Sequence, residues 1–160
     1  MKTKIIGLVE EKDSPIASYK LQFARQLITE HMLKTGWYVY VDPTIPGETY
    51  QPDLFCFRKN VRPYFINVQV RNKNKVPASQ GISLINYQLS SVIKEITSYS
   101  VFTVFIDEMC GDVHGVNCTS KPDFTKGVYI NSMMVFWKLE TMKFLFKLPE
   151  EVRKLLRNTI

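Results

Sequence analysis

Residues 53–71 read DLFCFRKNVRPYFINVQVR. Two runs rich in aromatic and β-branched residues, Asp53–Phe57 and Tyr64–Arg71, flank the polar stretch Arg58–Pro63. That composition predicts two strands joined by a hairpin with basic residues at its tip. Side chains alternate along a strand, so Asn67, Gln69 and Arg71 share one side of the second run. Three polar groups on one face of an apolar strand need partners. Each one buried and left unpaired costs about 1–3 kcal/mol.

Upstream, Leu21, Ala24, Ile28 and Met32 recur at three- and four-residue spacing. They predict a helix from Ser18 that Gly36 ends. Trp37–Val41 reads as a strand, residues 42–52 (DPTIPGETYQP) as a loop, and Lys4–Val9 as a short edge strand. Downstream, Lys73–Gln80 reads as a polar, basic loop. Ser79 or Ser83 caps a second helix reaching about Ser98, with Ile82, Ile85, Leu89, Val92, Ile93 and Ile96 on its buried face. Val101–Ile106 is unbroken apolar sequence, the mark of a strand covered on both sides. Cys110–Asp112 reads as a turn, and Val113–Cys118 and Met133–Trp137 as strands. Thr141–Leu148 reads as a short helix, and Pro149 with Glu150 and Glu151 as the start of a terminal one. Short connections make the first three strands an antiparallel meander; the strand after the long helix returns by a crossover. The expected class is α/β, a mixed central sheet with a helix on each face, in one domain spanning 1–160.

The 160 residues are 45% hydrophobic and 22% charged, which excludes a disordered chain. No apolar run approaches the roughly 18–20 residues that cross a bilayer, and the apolar start ends at Glu10, too early for an export signal. Three cysteines, Cys56, Cys110 and Cys118, do not make a disulfide framework. An unexported, cytoplasmic protein without membrane partners is expected. The net charge is +6, and its distribution is uneven. Residues 54–94 hold seven basic side chains (Arg58, Lys59, Arg62, Arg71, Lys73, Lys75 and Lys94) and no acid, whereas 1–53 balance to −1 and 95–160 to zero. Such a segment is either a solvated face or a surface for a polyanion.

The amphipathic helix ending in Gly36-Trp37, the Pro52-Asp53 opening one strand and FINVQV in its partner together resemble the PD-(D/E)xK nuclease superfamily. The later helix with Gln80, Tyr87 and Gln88 and the strand FTVFIDEMCGD (102–112) are similar to that layout too. The resemblance covers about residues 18–118. It implies a restriction endonuclease-like, three-layer core related to Holliday junction resolvases. It also implies DNA as partner, a homodimer as one possible assembly, and Mg²⁺ or Mn²⁺ as cofactor. In that family two acids on adjacent strands hold the metal, and a lysine orients the attacking water. Carried over, Asp53 is the first acid and metal ligand, Asn67 falls on the second acid and Gln69 on the lysine. A shift by one pleat gives Gln69 and Arg71; Phe65 and Ile66 before Asn67 favour the first register. Both amides depart from the pattern, since neither supplies charge, so Asp42 or Glu48 is needed to complete a metal site. Arg25 stands where many members carry a glutamate on the first helix, and the helical wheel turns Glu30 to water.

Other groups are weaker. Cys110, His114 and Cys118 have zinc-ligand chemistry, but the spacing falls across a hairpin and lacks a fourth ligand. His31 reads as a packing residue. Phe136, Trp137, Phe144 and Phe146 read as core, with a nucleobase platform or a dimer contact as alternatives. No glycine-rich phosphate loop is present. Three functions stay open: a metal-dependent endonuclease acting through Asp53, Asn67 and Gln69; an inactive module gripping phosphates with Arg58, Lys59, Arg62, Arg71, Lys73 and Lys75; and an assembly protein meeting an acidic partner.

Overall fold

The computed structural model describes residues 18–72 and 78–160. Ser18 caps α1 (Tyr19–Lys34) by accepting the Leu21 N–H at 3.2 Å. The strands β1 (Tyr38–Val41), β2 (Leu54–Arg58) and β3 (Val61–Arg71) form the expected antiparallel meander. The β2–β3 turn is tighter than expected. Arg58 pairs with Val61, leaving Lys59 and Asn60 as the loop, and Asn60 takes a left-handed φ of 63°. Pro63 therefore lies within β3.

The chain then forms β4 (Ser79–Ser83) and α2 (Leu84–Thr97), with Ser83 as the cap. It continues through β5 (Ser100–Asp107), β6 (Asp112–Asn117), β7 (Val128–Asn131) and β8 (Met134–Lys138). The last elements are β9 (Lys143–Lys147) and α3 (Glu150–Asn158). Three expectations fail here. Ile85 and Ile96, expected on the buried face of α2, are exposed, and Ile82 belongs to β4. The 79–83 stretch is a strand rather than loop or helix start, and 143–147 is a strand rather than a helix. KFLFK pairs with β6 as an edge strand, so its alternation, not its length, was the informative period. The expected strand at Lys4–Val9 lies outside the described residues.

Two sheets result. The larger has the order β1-β2-β3-β5-β6-β9, with β3 and β5 parallel and every other pair antiparallel. The smaller is β4-β8-β7, all antiparallel. Alternation along β3 and β5 divides the core. Ile66, Val68, Val104 and Ile106 pack with Ile28 of α1 and Leu156 of α3 on one side. Phe65 and Val101 meet Ile93 of α2 on the other, where Phe105 meets Val135 and Trp137 of the small sheet. The architecture is thus a mixed central sheet flanked by helices. No helix among the described residues is long and apolar enough to cross a membrane.

A buried carboxylate ties three elements at the end of β5. Glu108 is 1% exposed; Lys20 Nζ of α1 lies 2.8 Å from its Oε2 and donates to Oε1 at 3.1 Å. The Asn72 amide just after β3 also donates to Oε1, and Arg157 of α3 donates to the Glu108 carbonyl at 3.0 Å.

Candidate functional site

Asp53 lies where β2 begins. Its N–H donates to the Ile66 carbonyl at 3.0 Å, and Asp42 N–H donates to its carbonyl at 2.9 Å, so it joins β1 to β3. Loop 43–52 between these aspartates is stitched by Gln51, whose amide accepts from Ile45 N–H at 2.6 Å and donates to the carbonyls of Ile45 and Glu48. Before Leu54 the β2 ladder has stopped, and the Asp53 carboxylate takes over, accepting the Val68 N–H at 2.7 Å. A carboxylate accepting a backbone N–H makes a charge-assisted bond, so this contact supports the sheet in its own right.

The other oxygen of Asp53 faces Arg25. The guanidinium Nε stands 3.4 Å from Asp53 Oδ1, while Nη2 pairs with Asp42 Oδ1. Arg25 projects from the flank of α1, one residue past the buried Ala24, and its side chain is only 11% exposed. One fixed positive charge therefore sits between the two carboxylates. Asp42 does reach the site, as the sequence demanded of a metal centre, but it reaches an arginine.

Asn67 is a neighbour of Asp53, one step beyond the Leu54↔Ile66 pair, and is 6% exposed. Its amide donates to the Tyr50 hydroxyl, which also lies 3.4 Å from Ser90 Oγ of α2. Ser90 in turn donates to the Asn86 carbonyl at 2.8 Å. Burial pushes the Tyr50 phenol up, and nearby Asp53 adds to the shift, so this hydroxyl stays protonated. Gln69 Oε1 accepts from Arg71 Nη1 at 3.1 Å, and Arg71 Nη2 donates to the Gly81 carbonyl at 2.7 Å. The Arg71 guanidinium also lies 5.1 Å from the Phe105 ring centroid. The three polar groups of β3 are thus partnered as burial requires, through Tyr50, Ser90 and Gly81. Tyr50 and Ser90 escaped the sequence reading because a loop tyrosine and a helix serine carry no motif.

These residues do not fit a divalent metal. Asp53 is committed to Arg25 and Val68, and the Asn67 amide to Tyr50. Among the described residues no group of three or more His, Cys, Asp or Glu side chains is placed to hold a metal ion. Mg²⁺ takes one or two carboxylates with open positions around them, and a resident guanidinium repels it. The same holds for Cys110, His114 and Cys118. Cys118 is buried beside Thr103 at 3.0 Å, and His114 lies edge-on to Phe144.

The basic segment is divided. Arg58, Lys59 and Arg62 are exposed at the β2–β3 hairpin, five residues along β2 from Asp53, or roughly 16 Å. Arg58 stacks over Trp37 at 5.2 Å and Arg62 over Tyr99 at 5.5 Å, so both guanidinium planes are braced. Arg71 stands at the opposite end of β3, and Lys73 and Lys75 lie outside the described residues. The hairpin cations therefore lie apart from Asp53, Asn67 and Gln69. A cavity of about 790 Å³ does open at the hairpin end, walled by Trp37, Tyr64, Phe102 and Leu145 and bordered by Arg62 and Lys121; Asp53, Asn67 and Gln69 do not line it. Of the aromatic group near the C-terminal third, Trp137 is core, Phe146 stacks on His31 at 4.1 Å, Phe144 is exposed, and Phe136 faces outward.

No family model matches the sequence, and no curated protein matches it. The structure is similar to that of Hjc, a Holliday junction resolvase from the archaeal hyperthermophile Archaeoglobus fulgidus, with a TM-score of 0.56 at 8% identity, covering 83% of this chain and 95% of that one. The chain thus has a restriction endonuclease-like, resolvase-like fold.

Proposed function

We propose that this chain is a nucleic-acid-binding protein on a nuclease scaffold, with DNA its first candidate ligand, in which Asp53 no longer recruits a metal for phosphodiester hydrolysis. The observation that carries the reading is Arg25, whose guanidinium lies between Asp42 and Asp53 where hydrolysis needs a divalent cation. The likeness to a resolvase and the acid-free run from 54 to 94 support a polyanionic ligand. Arg58, Lys59 and Arg62 supply the exposed charge, and two of them are held in place by aromatic rings. Contacts of this kind grip backbone phosphates and carry little sequence information.

Gel retardation of linear duplex and four-way-junction DNA over about 50–200 mM salt tests the reading, alongside plasmid nicking with Mg²⁺ or Mn²⁺. Retardation that weakens steeply with salt, without cleavage dependent on Asp53, is expected. Metal-dependent nicking abolished by Asp53→Ala restores the endonuclease. Absence of binding at the lowest salt leaves an acidic protein as partner.

A further inference from the structure

The small sheet turns one face to the core and the other outward. Pairing puts Ser79, Gly81 and Ser83 of β4, Met134, Phe136 and Lys138 of β8, and Tyr129 and Asn131 of β7 on the outer face. None of these is acidic. Gly81, Phe136 and Tyr129 stand in one row across the three strands. The Tyr129 and Phe136 rings are stacked, 5.2 Å between centroids and 18° between planes. Tyr129 lies along the sheet, because its hydroxyl reaches Ser79 Oγ, two strands away, at 3.0 Å. Phe136 leans over Gly81; a Cβ there would meet its Cδ1 at 2.5 Å and its Cε1 at 2.6 Å. The glycine thus makes room for an aromatic strip lying across the sheet, and Tyr129 is 38% exposed. Lys138 is exposed on the same face, and Arg71 is bonded to the carbonyl of Gly81 itself.

A stacked aromatic pair on a sheet, its outer ring Tyr129 exposed, with Lys138 on the same face and no carboxylate among that face's residues, suits a ligand with flat π-faces and a negative backbone. Single-stranded nucleic acid has both, whereas a duplex hides its base faces. We propose that this outer face binds unpaired bases of single-stranded nucleic acid by stacking on Tyr129, which Phe136 backs, with Lys138 beside the phosphates. The proposal deepens the nucleic-acid reading above and rests on it.

Fluorescence anisotropy with a labelled oligothymidylate of about 15 nucleotides, within the roughly 4–16 nucleotides that single-strand-binding OB folds cover, provides the test. Competitors are unlabelled single strand, duplex of equal length, and polyglutamate. In the wild type, single strand should displace the probe at concentrations at least about tenfold below those of duplex or polyglutamate. Tyr129→Leu and Phe136→Leu keep apolar volume and remove the rings; each should weaken single-strand binding about tenfold and leave duplex binding unchanged. Tyr129→Phe keeps the ring and should retain binding. Equal displacement by single strand and duplex, or leucine variants that bind like wild type, overturns the platform and leaves the broader reading intact. Displacement by polyglutamate as effective as by single strand also overturns it, since charge alone then suffices. Failure to bind either nucleic acid removes both readings. The wild-type competition needs no substitution, so the platform stays open to refutation even where a variant fails to fold.

Discussion

Replacing Arg25 with alanine removes the guanidinium that lies between Asp42 and Asp53. At 3.4 Å the Arg25–Asp53 attraction is about 5 kcal/mol for an effective dielectric near 20. Desolvation of a guanidinium whose side chain is 11% exposed offsets much of it. Asp42 is 41% exposed, so its contact adds less than about 1 kcal/mol. What remains after the substitution is a half-buried aspartate pair, and the net loss should be about 2–4 kcal/mol. In a chain of this size that lowers Tm by roughly 6–12 °C. Thermal unfolding followed by near-UV circular dichroism measures it, with and without Mg²⁺. The wild type should be indifferent to the metal. Arg25→Ala should recover about 1.4 kcal/mol when Mg²⁺ stands at about ten times its Kd, because the carboxylates, relieved of the guanidinium, now offer oxygen ligands. Adding Asp53→Asn should abolish that recovery. A wild type stabilised by Mg²⁺ as much as Arg25→Ala, through Asp53, would falsify the claim that Arg25 stands in the metal's place.

Three further outcomes are expected. Tyr50→Phe removes the hydroxyl that accepts from the buried Asn67 amide and should cost about 1–3 kcal/mol in urea unfolding, with little change in the m-value. Burial pushes the Cys118 thiol up to about 11 and Cys56 up to about 12 from an ordinary 9.0. The folded state then holds protons that the unfolded state releases, so this contribution is intact below about pH 9 and is lost as pH rises toward 11–12; urea midpoints should fall across that window, and less steeply in Cys118→Ser. Lys59→Gln should reduce the slope of log binding constant against log salt by up to about 0.9 if Lys59 contacts one phosphate; an unchanged slope assigns binding to another surface.

Where one period dominated a stretch, its element was legible. The Leu21–Met32 stripe, the apolar run of β5 and the polar alternation of Asn67, Gln69 and Arg71 each specified an element and a face. Of the small sheet, β8 was legible in Met133–Trp137, but β4 was not, because SQGIS is polar and contains a glycine whose purpose depends on Phe136 from a distant strand. KFLFK failed for a related reason: five residues satisfy a helical and an alternating pattern equally well, and only pairing with β6 decides. At the candidate site, the Pro52-Asp53 and FINVQV stretches led to neighbouring positions on β2 and β3. The role of Arg25 was hidden, because its departure from the family pattern was readable but the pairing of its guanidinium with Asp42 and Asp53 depends on how α1 lies across the sheet.

Glu108 has a consequence for how the molecule opens. If α3 detached alone, the Glu108 carbonyl would lose Arg157, and if α1 lifted, the buried carboxylate would lose Lys20. Lifting α1 thus costs about 3–5 kcal/mol for breaking a buried ion pair, and detaching α3 costs about 1.5–3 kcal/mol for a hydrogen bond from a charged donor, beyond the packing each helix loses. The two helices, distant in sequence, should behave as one foldon: their slowest amides should exchange with solvent deuterium at a common rate, and Glu108→Gln should accelerate both together.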